Sequence, residues 1–150
     1  MKITTFSDYA LRLLMMLAVS EDELVTIADV ANAYGVSKSH VMKVANLLGR
    51  AGMVATARGR SGGLRLARPA SVIRVGEVLR LTEPDFDVVP CFESSALCRI
   101  TPDCVLKKAL AAAVRAFLHV LDGYTVEDLA TPHRELRAIL GMDRLQNIDG

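Results

Sequence analysis

Three residues suited to chemistry stand together in this chain. Cys91, Cys98 and Cys104 fall within one stretch, CFESSALCRITPDC, and they are all 3 cysteines of its 150 residues. Thiolates are soft ligands that suit iron–sulfur clusters and zinc. Gathering every cysteine into one short loop is what a metal centre needs. An odd number leaves one sulfur over in any disulfide scheme. A thiol redox switch and inert buried cysteines are the other readings. Structural cysteines are usually scattered among core elements, whereas these are flanked by Pro90, Glu93, Ser94, Ser95, Pro102 and Asp103, a polar, turn-prone context. Three ligands are one short of the usual four, so a further group must complete the shell.

A second group of residues carries charge rather than ligands. Between positions 37 and 68 lie Lys38, Lys43, Arg50, Arg58, Arg60, Arg65 and Arg68, with no Asp or Glu among them. That segment holds +7 in a chain whose net charge is +1, so the remainder sums to −6. Such a block in a near-neutral protein is the footprint of a polyanion-binding face. The plain alternative is a solvated surface that happens to be basic. Enzyme chemistry finds no support. His40, His119 and His133 are far apart, and no nucleophile–base constellation with a supporting motif is visible.

The elements that must position these groups follow from periodicity and caps. Thr5 or Ser7 can cap a first helix over residues 8–20, with Tyr9, Leu13, Met16 and Leu17 at helical spacing and Asp8 in the first turn, where the helix dipole favours a carboxylate. Thr26 caps a second helix, 27–34, with Asp29 as a weaker capping-box partner, and Gly35 ends it. Ser37 opens a third, 38–50, whose apolar face is Val41, Val44, Leu47 and Leu48. Helix, short glycine-containing turn, helix is a helix-turn-helix. Lys38, Ser39, His40, Lys43 and Asn46 lie mostly off the apolar face of the third helix, and such residues reach phosphates and base edges in a major groove. Two short β-capable runs, 53–56 and 64–66, flank a tip containing Arg58 and Arg60 among three glycines. A basic hairpin directly after a helix-turn-helix is a wing, with Arg58 and Arg60 against phosphate or in the minor groove.

Beyond the wing, a short helix over 75–81 is stopped by Pro84, and the cysteine loop follows. The sequence predicts a long helix from Pro102 to about Leu121, with Pro102 in its first turn. Its apolar positions are Leu106, Leu110, Ala113, Val114, Phe117, Leu118 and Leu121. A helix of that length on a small winged helix pairs most simply with its twin in a homodimer, though part of it must pack on its own domain. Thr125 caps a last turn, 126–129. From Pro132 a weakly ordered tail is expected, with a helical piece at 135–140. The fold class is therefore mainly α with a small β-wing. One winged helix-turn-helix domain spans residues 1–130 (helix-turn-helix about 27–50, wing 53–68, cysteine loop 91–104, dimerisation helix 102–122), and 131–150 form the tail. Asp8 and Arg12 interrupt the early apolar run, which argues against a signal peptide, and no apolar run approaches the ~20 residues of a membrane span. A cytoplasmic protein that does not enter a membrane is expected.

The opening KITTFSDYALRLLM, the segment YGVSKSHVMKVANLLGRAG, the wing ARGRSGGLRLARPA and the stretch CRITPDCVLKKAL with FLHVLDGYTVEDL resemble the NsrR group of nitric-oxide-sensing repressors, relatives of the IscR and RirA iron–sulfur regulators. The resemblance covers about residues 1–130. It implies a homodimer with one iron–sulfur cluster per subunit, of 4Fe–4S or 2Fe–2S type, held by Cys91, Cys98 and Cys104. Asp8 matches the acidic position that supplies a fourth ligand from the partner subunit in members of this group. Glu93, Asp103, His119 or solvent are the substitutes. An oxygen ligand is a poor match for a soft cluster, so its iron should be the labile one. The resemblance further implies a repressor that holds double-stranded operator DNA while its cluster is intact. Nitric oxide is then the effector, and nitrosylation of the cluster releases genes for nitric-oxide detoxification. Two rivals stand beside it: a regulator of the same fold that senses iron, cluster supply or redox state, and a zinc-stabilised interaction module.

Overall fold

The computed structural model describes residues 2–94, 96 and 98–143. Helix α1 (Thr5–Val19) is the central element. Its buried positions Ala10, Leu13, Leu14, Met16, Leu17 and Val19 include two adjacent pairs, Leu13–Leu14 and Met16–Leu17, which gives a helix apolar on more than one stripe, as a helix contacted from several sides requires. Later segments of the chain pack on it from several sides. Thr4, one residue earlier than the sequence suggests, is its cap and accepts the Ser7 N–H at 3.2 Å. Ser7 is itself fully buried, and its hydroxyl bonds that of Thr82 at 2.7 Å. It joins α1 to a later helix instead of capping its own.

Helix α2 (Ile27–Tyr34) starts at a complete Thr26/Asp29 capping box and stops at Gly35, whose φ of 64° is the left-handed geometry glycine adopts without cost. Helix α3 (Lys38–Arg50) follows from the Ser37 cap, as its sequence predicts. Val41, Val44, Ala45 and Leu48 form its buried face, while Leu47 is only half-buried. Burial of each such aliphatic side chain contributes about 1.5–3 kcal/mol.

Strands β1 (Val54–Ala57) and β2 (Gly63–Leu66) pair antiparallel, from Val54↔Leu66 to Ala57↔Gly63. Val25 adds a bridge on the far side of β2, with Leu64 N–H donating to its carbonyl at 2.7 Å. Strand β2 of the wing is thereby stitched to the α1–α2 connection. At the tip, a Cβ on Gly62 would collide with the carbonyl oxygens of Ala57 and Gly59, so only glycine closes this turn.

Helix α4 (Val75–Thr82) returns to α1. After it come the short helix α5 (Pro90–Glu93), a 3-10 turn at Thr101–Asp103, and the long helix α6 (Val105–Asp122). The sequence places the start of α6 at Pro102. The structure starts it three residues later, because Cys104 is extended (φ −69°, ψ 108°) and caps it, its sulfur accepting the Lys107 N–H at 3.4 Å. Helix α4 meets α6 through a two-pronged Arg80–Asp122 pair. A Cβ on Gly76 would strike the Asp122 carboxylate, so the joint requires glycine there.

Helix α7 (Val126–Leu129) has its own Thr125/Asp128 capping box. Helix α8 (His133–Ile139) is the helical piece expected at 135–140, begun two residues earlier, and it is docked on the domain where a weakly ordered segment was expected. Arg137 is only 8% exposed and donates to the Val19 carbonyl at 2.6 Å, at the C-terminal end of α1. It also reaches Glu23 at 3.3 Å and Asp143 at 3.5 Å, and Met142, next to Asp143 in sequence, is fully buried. A buried charge in a polar-looking segment hid this clasp from a reading based on apolar periodicity. Residues 144–150 of the expected tail lie outside the described residues. Among the described residues no helix is long and apolar enough to cross a membrane.

Candidate functional site

The basic face is built on α3 and the wing. Burial of Val41, Val44, Ala45 and Leu48 turns the opposite side of α3 to solvent, and Lys38, Ser39, His40, Lys43 and Asn46 are all exposed. Arg58 and Arg60 are exposed at the wing tip, where Gly59 adopts φ 109°. Two further cations of the basic block, not among the expected DNA contacts, also lie exposed on this face. Arg50 lies seven residues, two helical turns, after Lys43, and Arg65 alternates outward from the buried Leu64; both spacings are readable in the chain. Arg68 leaves the face, because its guanidinium bonds the Glu77 carboxylate at 2.6 Å. The result is a surface of exposed Lys and Arg with no acidic residue between positions 37 and 68.

The N-terminal end of α1 touches this head at two points. The Tyr9 ring lies 6.0 Å from that of His40, at the flank of α3. Asp8 pairs with Arg12 at 2.9 Å, and the Arg12 guanidinium sits 5.5 Å from the centre of the Tyr34 ring on α2. The Tyr34 hydroxyl donates to the Arg12 carbonyl at 2.9 Å. Burial is the main reason its pKa is pushed up to about 12; Arg12 opposes the rise and Asp8 adds to it. The phenol therefore stays protonated, and the contact stays a donor–acceptor bond, across ordinary pH.

The cysteines occupy a different kind of structure. Cys91 is on α5, Cys98 lies in the loop, and Cys104 caps α6; all three are half-buried free thiols. Among the described residues, no group of three His, Cys, Asp or Glu side chains is gathered into a ligand set. Asp8 is thus not brought to these sulfurs within the chain. Glu93, Asp103 and His119 are exposed and also stand outside any such set. The donor chemistry nevertheless fits a soft metal group: three unpaired thiols share one segment, and one of them sits at the positive end of α6. Thr101, between Cys98 and Cys104, adds an observation sequence reasoning missed. Its hydroxyl is buried with no hydrogen-bond partner, and a buried unsatisfied donor is a cost that a sulfide or thiolate acceptor would remove.

On either side of this segment Glu83 and α6 complete the arrangement. Burial raises the Glu83 pKa, but bonds from Ser7 and from the Thr4 amide and hydroxyl outweigh it and hold the carboxyl below its ordinary value. The carboxylate so anchors the start of α1 to the end of α4. Helix α6 has no fully buried residue; Val105, Leu106 and Val120 are 76%, 65% and 58% exposed. Its apolar stripe is only partly covered by the chain itself: Leu110, Val114, Phe117, Leu118 and Leu121 are half-buried, and Leu106 and Ala113 are exposed.

Residues 3–132 match a protein-family model described as "Rrf2: Iron-dependent Transcriptional regulator". Among solved structures, the oxidized form of CymR from Staphylococcus aureus is similar, with 28% identity and a TM-score of 0.69 over 87% of this chain and 97% of that one. IscR from T. potens gives 25% identity and a TM-score of 0.72 over 91% of each chain. A transcriptional regulator from Listeria innocua gives 27% and 0.71, over 86% of this chain and 85% of that one.

Proposed function

The chain belongs to the Rrf2 family of transcriptional regulators, and from that premise we propose that it is a nitric-oxide-sensitive repressor acting as a homodimer on operator DNA. The observation that carries the DNA reading is the face on α3 and the wing, where every expected contact residue is exposed and every charge is positive. Lys38, Ser39, His40, Lys43 and Asn46 enter the major groove, and Arg58 and Arg60 hold the flanking phosphates or minor groove. The exposed apolar residues of α6, Val105, Leu106 and Val120, meet their twins. Two-fold symmetry then sets the α3 helices about one DNA turn apart, roughly 34–36 Å.

Cys91, Cys98 and Cys104 would hold an iron–sulfur cluster, with Asp8 of the other subunit as the oxygen ligand. Such a cluster supplies an iron that binds nitric oxide. The chain's own part is mechanical. Asp8 held across the dimer would leave Arg12, which lies against Tyr34 of the helix-turn-helix. Return of Asp8 to Arg12 would restore the geometry described above. The two states would therefore differ in how α1 holds α2. A coupling of about 1–3 kcal/mol between ligand loop and DNA face changes affinity ~5–150-fold.

A second reading, iron or cluster-supply sensing, is favoured by the matched family description and by the likeness to IscR. One titration separates the two. Anaerobically loaded protein is followed by gel shift on selected operator DNA while nitric oxide or an iron chelator is added. Release by nitric oxide at full iron content supports the first reading. Release only on iron removal supports the second and overturns the first.

A further inference from the structure

Met42 stands in the middle of the basic face without a packing role. It is 51% exposed on α3, while the buried side of that helix is already complete in Val41, Val44, Ala45 and Leu48. Helical spacing places Met42 beside Lys38 and Ser39 on the preceding turn and Asn46 on the following one, with Lys43 next in sequence; all are exposed. A large apolar side chain framed by cations and amide groups is out of place on a merely solvated helix. It fits a groove whose walls are phosphate and whose floor carries methyl groups.

We infer that Met42 is a specificity-determining residue that reads the C5-methyl group of a thymine in the major groove. Thymine is the base that offers an apolar group there, and apolar side chains contact it. The flexible thioether chain adapts to the methyl without demanding one rotamer. Lys38 and Lys43 hold phosphates on either side and fix the depth at which Met42 enters; Asn46, one turn on, has the amide that pairs with adenine. The assignment rests on the DNA-binding reading above and adds a base preference to it.

The test uses the full chain, prepared anaerobically, and duplexes selected by it from a random library. Each thymine of the selected half-site is replaced singly by deoxyuridine, which removes only the methyl group. Loss of one buried methyl is expected to weaken binding about four-fold at one thymine per half-site for the parent chain. For Met42→Ala that one position should become indifferent to the methyl, with the other positions unchanged; Met42→Leu should keep the preference. A Met42→Ala chain that binds and retains the whole thymine-over-deoxyuridine profile overturns the assignment. A parent chain that selects no duplex overturns instead the DNA reading beneath it.

Discussion

Helices α1 to α4 with the wing bury their apolar side chains inside the chain, whereas the stretch from 83 to 124 buries, among its described residues, only Thr101. The first region is a finished object. Leu13, Leu14, Met16, Val41, Val44 and Leu48 close a shared core, and Val25 sews the wing to it. The second region holds the thiols and the apolar stripe of α6 but completes neither by itself. A reading head must keep its shape to present a fixed set of side chains. A sensing arm must have something left to gain from a ligand or a partner. Stability in proteins is distributed unevenly for this reason, and switching elements come from its low end.

Breaking the head should cost most. Leu48→Ala removes a fully buried side chain shared by α3 and the core and should destabilise by about 2–5 kcal/mol, measured by denaturant unfolding. Leu106→Ala on α6, a residue 65% exposed, should leave single-chain unfolding within about 0.5 kcal/mol. Sedimentation should instead show a weakened dimer. Equal losses of intrinsic stability at both positions would erase the distinction between the regions.

Next in size is the joint between them. Gly76→Ala forces the Asp122 carboxylate from its place and with it the Arg80 pair. Overpacking of this kind costs about 1–3 kcal/mol, and amide exchange should rise at the α4–α6 contact before it rises in α3. Uniform exchange would argue that α4 and α6 do not form a separate hinge. Arg137→Met should cost about 1–3 kcal/mol, since it leaves the buried Val19 carbonyl without its donor.

A smaller effect belongs to Glu83. Its folded pKa lies below its ordinary value, so its contribution is present above the unfolded pKa, about 4.3, and is lost as pH falls through the lower folded value. Glu83→Gln should lower stability at neutral pH, where that contribution is present, and flatten the acid limb of the stability curve below about pH 4.3, so that the two chains converge at low pH. An unaltered acid limb would remove Glu83 as the tie between α1 and α4. The smallest change is expected from Thr101→Val. In protein without metal, replacing an unsatisfied buried hydroxyl by a methyl of the same shape should be neutral or slightly stabilising in thermal unfolding. A clear loss of stability would mean that the hydroxyl already has a partner.

The same division governs what the chain's letters disclose. Helices α2, α3 and α7 were legible to the residue because each begins with a strong cap: Thr26 with Asp29, Ser37, and Thr125 with Asp128. The exposed character of Lys38, Lys43, Arg58 and Arg60 follows from the apolar face of α3 and the glycine-rich tip. What escaped depends on distant partners. Cys104 replaces Pro102 as the boundary of α6 because a sulfur can cap. Arg68 is lost from the basic face to Glu77, and α8 is held by one buried arginine that no local pattern announces. The proposed assembly of three thiols and Asp8 into one ligand set would be a further step of this kind, since it would involve two chains.

The most direct test of the account is operator affinity measured on one anaerobic preparation in three forms: iron-loaded, exposed to nitric oxide, and carrying Cys98→Ser. The account predicts tight binding by the first and ~5–150-fold weaker binding by the other two, with circular dichroism showing α1 to α4 intact in all. Equal affinity of the three forms for the same duplex would contradict it.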